Sequence, residues 1–196
     1  MPGRGPFLLA LPLVLLCAAF SASDAADCID YGNYIHWLGS VETPGRDLAV
    51  VVVGNYAYVA NGDFGLQVLD ISDPTTPVIA ANVDTPDRAF AVAVSGNFAY
   101  VADEHAGLQV IDISNPLAPA IVGSVLTSDS AVGIAVVGSL AYIADGGTGL
   151  QVIDISNPTA PSIAGSVDTP GEAWDVAVAG SYAYLADGGF GMHVID

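Results

Sequence analysis

The chain contains no lysine, and its cations are Arg4, Arg46 and Arg88, set against 21 acidic residues for a formal net charge of −18 over 196 residues. A surface of that sign repels nucleic-acid phosphates and anionic lipid, which excludes a nucleic-acid role. Cysteine is almost as scarce. Cys17 falls in the N-terminal apolar run, which leaves Cys28 alone, so a disulfide framework is excluded. No Cys/His spacing suits zinc. The three histidines, His36, His105 and His193, do not recur in phase with one another. No Ser-His-Asp or Gly-x-Ser-x-Gly arrangement is present, and no glycine-rich helix start is available to cradle phosphate. A 3.6-residue apolar period is also missing, so a helical solenoid is excluded.

What is abundant is aliphatic sequence. The hydrophobic fraction is 53%, delivered in short runs of Val, Ala, Ile and Leu that read as buried strands and not as membrane spans. The first 25 residues differ. Arg4 supplies a positive start, Phe7 to Phe20 is an apolar run too short for a bilayer span, and Ser23-Asp24-Ala25 offers small residues for cleavage. Residues 1–25 therefore read as a secretory signal peptide, cut near Ala25 or Ala26. No transmembrane segment is expected beyond it.

From residue 41 onward the chain repeats every 42 residues without insertion. Gly65-Leu66-Gln67-Val68-Leu69-Asp70 returns as Gly107 to Asp112, Gly149 to Asp154 and Gly191-Met192-His193-Val194-Ile195-Asp196. The units are 41–82, 83–124, 125–166 and an incomplete 167–196. Each opens on a turn such as Thr85-Pro86-Asp87. A strand of period two follows, in which Phe90, Val92 and Val94 oppose Ala91, Ala93 and Ser95. Two-residue hairpin signals at Gly54-Asn55, Gly96-Asn97, Gly138-Ser139 and Gly180-Ser181 lead to a second strand, Ala-Tyr-Val-Ala and its variants. A glycine-rich turn then leads to the Leu-Gln-Val-Ile-Asp strand. Ser-Asn/Asp-Pro ends that strand, because proline cannot donate to a ladder. A variable fourth strand completes the unit. Four antiparallel strands per 42 residues, buried on both faces, predict an all-β fold: a β-propeller of four-stranded blades following the signal peptide.

The recurring Leu-Gln-Val-Ile-Asp after Ala-Tyr-Val-Ala-Asp resembles the LVIVD-repeat family of exported bacterial and archaeal propellers, and is similar in appearance to YVTN-type surface-layer propellers. The resemblance implies an extracellular, non-catalytic propeller and supplies no catalytic residues. Localisation is expected to be secreted or cell-surface, with the periplasm as the alternative.

Residues 26–40 form an N-terminal segment, of which Tyr34 to Ser40 aligns with the fourth strand of a blade. That strand would complete the last blade and close a four-bladed ring, removing exposed edges. The rival is a larger ring of about six to eight blades. The halt at Asp196, where the next turn is due, favours the rival. The chain is expected to be monomeric or part of a longer one.

Variation between copies marks the candidate surface. The turns after the first and third strands are nearly uniform. The turns after the second strand, and the connections between blades, are not. Loops on a rigid scaffold carry binding, which singles out Arg46, Asp63, Phe64, Arg88, Glu104, His105, Glu172 and Phe190. Asp175 joins them because Ala49, Ala91 and Gly133 hold its column on a strand flanking the central channel. The expected partner is a protein, a glycan or the cell envelope. No catalytic residues, resident metal or cofactor are expected. Calcium is the ion the Asp103, Asp145 and Asp187 turns would invite, although a hairpin turn accounts for them more simply. Asp70, Asp112 and Asp154 are expected to accept backbone N–H bonds at the following turn. Buried Gln67, Gln109 and Gln151 are expected to bond between blades. The alternatives are an exported propeller enzyme or metal-dependent hydrolase or lyase, with Asp175, His105 and Glu104 at the channel mouth, and a spacer for a further domain.

Overall fold

The computed structural model describes residues 37–196. The segment read as a signal peptide, Cys28 and residues 34–36 lie outside the described residues. Fifteen strands follow in four antiparallel sheets. Blade 1 holds β1 (Ala49–Val53), β2 (Tyr56–Ala60), β3 (Leu66–Asp70) and β4 (Val78–Val83). Blade 2 holds β5 (Ala89–Ser95), β6 (Phe98–Asp103), β7 (Leu108–Asp112) and β8 (Ala120–Val125). Blade 3 holds β9 (Ala131–Val137), β10 (Leu140–Asp145), β11 (Leu150–Asp154) and β12 (Ser162–Val167). Blade 4 holds β13 (Asp175–Ala179), β14 (Tyr182–Ala186) and β15 (Met192–Ile195), with a single 3₁₀ turn at Gly188–Phe190. Each sheet is a plain meander, as hairpin connections dictate.

The core lies between the blades. Tyr58, Leu66 and Val68 of blade 1 pack with Val92, Val101 and Ile111 of blade 2. Leu108 and Val110 pack with Ile143 and Ile153 one blade on, and Leu150 with Val176 and Leu185 after that. Leu66, Leu108 and Leu150, one residue in three copies, are each fully buried, worth about 1.5–3 kcal/mol apiece. Met192 holds the same column in blade 4 and is 63% exposed. The innermost strands pack in sequence, β1 on β5, β5 on β9 and β9 on β13. Among the described residues no comparable packing joins β13 back to β1. Residues 37–40 form no strand, and the last sheet has three strands among the described residues. The strand expected over 34–40 is therefore not formed at its described end.

Two further expectations are revised. Phe90 does not share the alternation of Val92 and Val94. Ala89 pairs with Asp103 and Ala91 with Ala102, which leaves Phe90 as the extra residue of a bulge. Val132 is extruded in the same way, between Ala131, paired with Asp145, and Gly133, paired with Ala144. Two of the three buried glutamines bond within their own blade and not between blades: Gln67 Nε2 donates to Phe64 O at 3.3 Å, and Gln109 Nε2 to Ala106 O at 2.9 Å. Asp70, Asp112 and Asp154 accept the N–H of Ser72, Ser114 and Ser156 at 2.9, 2.8 and 2.8 Å, as the turn chemistry predicts. Bonds from the hydroxyl and N–H of Ser72, and from the N–H and hydroxyl of Ser114 and Ser156, hold all three carboxyls below the usual aspartate range.

Candidate functional site

The variable turns and the inter-blade connections meet on one face because backbone bonds tie them together. The turn after β2 bridges to the start of β5 through Gly62 and Ala89, with N–H···O distances of 3.2 and 3.1 Å. Glu104 O accepts from Ala131 N at 3.0 Å, and Gly146 O accepts from Ala173 N at 2.8 Å. Each turn is thus fixed to the connection entering the next blade.

A buried polar residue anchors each turn to its own blade's opening connection. Asp103 accepts from Thr85 Oγ1 at 2.6 Å and Asp87 N at 3.2 Å. Asp145 accepts from Ser128 N and Asp129 N at 3.0 and 3.1 Å. Asp187 accepts from Thr169 Oγ1 at 2.7 Å and Gly171 N at 3.0 Å. Asn61 donates to Thr43 Oγ1 and to Asp47. These side chains are fully buried and each is bonded to the scaffold, with Asn61 Oδ1 and Asp145 Oδ1 left without a protein partner. Burial pushes the Asp103 carboxyl up, against the Thr85 and Asp87 hydrogen bonds. At Asp187 burial pushes the same way, but bonds from Thr169, Gly171 and His193 outweigh it and the carboxyl lies low. His193 Nε2 meets Asp187 Oδ2 at 2.9 Å, so it replaces the repeat's glutamine as a hydrogen-bonding group.

Around the anchors, the column after Thr-Pro varies together with the turn it faces. Gly45 and Gly171 leave room for rings: a Cβ at either would sit 2.6 Å from Phe64 Cδ2 or 2.9 Å from Phe190 Cδ2. Asp87 and Asp129 replace those glycines and bond to the turn instead. Asp87 Oδ2 lies 3.2 Å from His105 Nδ1, and Asp129 Oδ2 accepts from Gly147 N at 2.9 Å. Arg88 reaches across blades, its Nε 3.1 Å from Asp63 and its Nη1 3.9 Å from Glu104, with the guanidinium 5.1 Å from the Phe90 ring centroid. Glu104 itself holds φ +38°, in the column where Gly62, Gly146 and Gly188 hold φ +55°, +49° and +52°.

Two cavities open on this face. One of about 230 Å³ is walled by Phe90, Trp174, Glu104, Asp129 and Glu172. Another of about 510 Å³ shares Glu172 and Trp174 and extends to Phe190. Phe90 and Val132 reach the first because their bulges turn them out of the strand alternation, a common device at the rims of sites. Among the described residues, one group of three possible metal ligands lies close together: Asp87, Glu104 and His105, within 4.8 Å.

The LVIVD repeat model matches residues 44–85, 88–127, 129–169 and 170–196, which together span most of the chain. The chain belongs to the LVIVD repeat family. No curated protein matches this LVIVD-repeat chain. Among solved structures it is similar to the computationally designed Ika4 protein, with a TM-score of 0.66 at 15% identity, over 83% of this chain and 98% of that one. It is also similar to the designed Ika8 protein, with a TM-score of 0.63 at 12% identity, over 76% of this chain and 45% of that one. At these identities the likeness speaks for the fold alone.

Within the LVIVD scaffold, the nine residues singled out from sequence do not form one cluster. Asp63, Arg88 and Glu104 are linked as above. Glu104 and Glu172 share the first cavity, and Glu172 and Phe190 the second. His105 is exposed and pairs with Asp87. Arg46, Phe64 and Asp175 line neither cavity. Asp175 shares the exposed face of the last sheet with Ala177 and accepts from Val176 N at 2.9 Å. Asp87, Asp129, Phe90 and Trp174 were missed. The signal for the two aspartates was present in the repeat alignment, in the paired replacement of Gly45 and Phe64 by Asp87 and Ala106.

Proposed function

We propose that this LVIVD-repeat chain is an exported, non-catalytic binding module that presents its variable face to a protein, glycan or envelope partner. The observation that carries this reading is the division of labour between the faces. The Ser-Asn/Asp-Pro turns repeat one hydrogen-bond pattern three times, whereas the bridged turns carry Arg88, Glu104, His105, Glu172 and two cavities on the same kind of scaffold. Export is supported by the Arg4-led apolar run from Phe7 to Phe20. Exposure of Met192, in a column buried in the other three blades, supports closure of the blades into a ring against another blade-like surface.

The test is a glycan and peptide array probed with the purified chain. A variable-face variant, E104K/E172K, is expected to lose the signals. A variant of the uniform face, N97D/N157D, is expected to keep them. Equal behaviour of the two variants, or no signal from the parent, overturns the reading.

A second reading rests on the Asp87, Glu104 and His105 group, which offers three metal-ligating atoms within 4.8 Å of one another. Stoichiometric metal after gentle purification, lost in H105A, would favour a metal-dependent activity over a binding module. Against it stands Arg88, whose guanidinium already lies 3.9 Å from Glu104.

A further inference from the structure

We propose that the Trp174 cavity is a receptor for an external organic cation of the guanidinium type, such as an arginine side chain, held against the indole between Glu172, Glu104 and Asp129. This deepens the binding-module reading and rests on it.

The chain carries its own template for such a site. In blade 2 a guanidinium, that of Arg88, sits 5.1 Å from the Phe90 ring with carboxylates of Asp63 and Glu104 at 3.1 and 3.9 Å. An aromatic face and converging carboxylates are what a flat, weakly hydrated cation requires. Two repeats further along, every position of that arrangement recurs with its content changed. The column of Phe90 holds Trp174, a better cation–π partner, and it is 54% exposed. The column of Arg88 holds Glu172, so the internal cation is gone and a carboxylate takes its place. The column of Asp63 holds Gly147, which leaves the approach open.

The remaining walls complete the site. Glu104 and Asp129 add two carboxylates to a cavity of about 230 Å³, and Asp129 is held in place by Gly147 N at 2.9 Å. No lysine exists in the chain, and Arg88 is shared between Phe90, Asp63 and Glu104, so among the described residues Glu172 and Asp129 are the wall carboxylates that carry no salt bridge. Trp174 adjoins both cavities, so a side chain laid on the indole can extend from the first into the second. The net charge of −18 draws cations toward the chain as a whole.

The chain holds two tryptophans, Trp37 and Trp174. In a W37F background, Trp174 emission is titrated with the peptide Ac-Gly-Arg-Gly-NH2, with L-arginine and with the matched citrulline peptide. The arginine peptide is expected to change the emission saturably, with affinity falling as salt rises. E172Q and E104Q should each weaken it about threefold or more, and W174A, followed by calorimetry, about tenfold. Circular dichroism checks that each variant is folded. Equal affinity for L-arginine would assign the free amino acid as the source, and preference for the peptide would assign a polypeptide side chain. Either supports the receptor. No saturation, an equal response to citrulline, or indifference to both glutamate substitutions would overturn it. An array partner sensitive to E104K/E172K alongside a flat titration would sink the cation alone. A saturating titration beside a blank array would instead leave the cavity standing and remove the wider partner.

Discussion

Gly107 and Gly191 occupy the same column, and replacing each by alanine separates two costs that usually come together. Both hold a left-handed backbone, with φ of +71° and +85°. A Cβ there costs about 1 kcal/mol at either site. At Gly107 the new Cβ would also run into the backbone entering the next connection, against Val125 O, 2.6 Å from Thr127 N and 2.9 Å from Leu126 Cα. Those atoms belong to the end of β8 and the turn beyond, and backbone cannot rotate away as a side chain can. Overpacking of this kind adds about 1–3 kcal/mol. At Gly191 nothing lies within 4 Å of the added atom. G107A should therefore lose about 3 kcal/mol and G191A about 1 kcal/mol. Urea unfolding followed by far-ultraviolet circular dichroism is the assay. With an m-value of about 2 kcal/mol per molar, the two midpoints should differ by about 1 M. In a W37F background, Trp174 emission, which reports on blade 4, should give coincident transitions if the blades unfold together. Equal losses in the two variants would refute the close approach of the connection to Gly107.

Two other outcomes test the site itself. Because burial raises the Asp103 carboxyl, the folded state binds its proton more tightly than the unfolded one, so its contribution to stability falls as pH rises from the ordinary aspartate value through the raised one. D103N removes that fall, while the opposite-signed contributions of Asp70, Asp112, Asp154 and Asp187 remain in both proteins. Stability of the wild type relative to D103N, from urea midpoints between about pH 3.5 and pH 7, should decline with pH, and superimposable profiles would refute the burial argument. E104G places in blade 2 the residue found in that column of the other blades. It should raise stability by about 0.5–1 kcal/mol by relieving the left-handed glutamate, while weakening the arginine peptide about threefold. A loss of stability in the same urea assay would show that Glu104 is not strained.

The scaffold was legible because each signal occurs several times in phase. Hairpin glycines, the proline that ends β3, β7 and β11, and the aspartate before it have purely local physical meanings, and the structure realises them as read. The site was less legible because its geometry comes from departures that periodicity hides. Phe90 looks like one more large residue in an alternating strand, and only the pairing of Ala89 with Asp103 and Ala91 with Ala102 shows it expelled toward the cavity. Gln109 looked like a bridge between sheets, yet the Ala106 carbonyl of its own blade lies nearer its amide. Asp103, Asp145 and Asp187 read as hairpin-turn residues, while the connection that opens their own blade bonds to them and they are completely buried. For Phe90 and the three aspartates the deciding contact lies across a bulge or between segments about 16–18 residues apart, beyond the reach of a two-residue period.

Glu104 shows how a repeat scaffold acquires a site without losing its fold. Its column sits at the turn apex, where the backbone must be left-handed and glycine is the least costly residue. Three copies keep glycine there. The copy that departs does so where its carboxylate lies between Arg88 and the cavity shared with Trp174. The turn tolerates the strain because the surrounding bonds determine it. Asp103 N donates to Gly107 O at 2.8 Å, Gly107 N to Glu104 O at 3.2 Å, and Ala131 N to Glu104 O at 3.0 Å. None of those bonds involves the Glu104 side chain. Its cost is therefore local, about 1 kcal/mol, set against a scaffold in which each buried leucine of the Leu66 column contributes more than that. A glutamate retained at that position is best explained by what its side chain reaches.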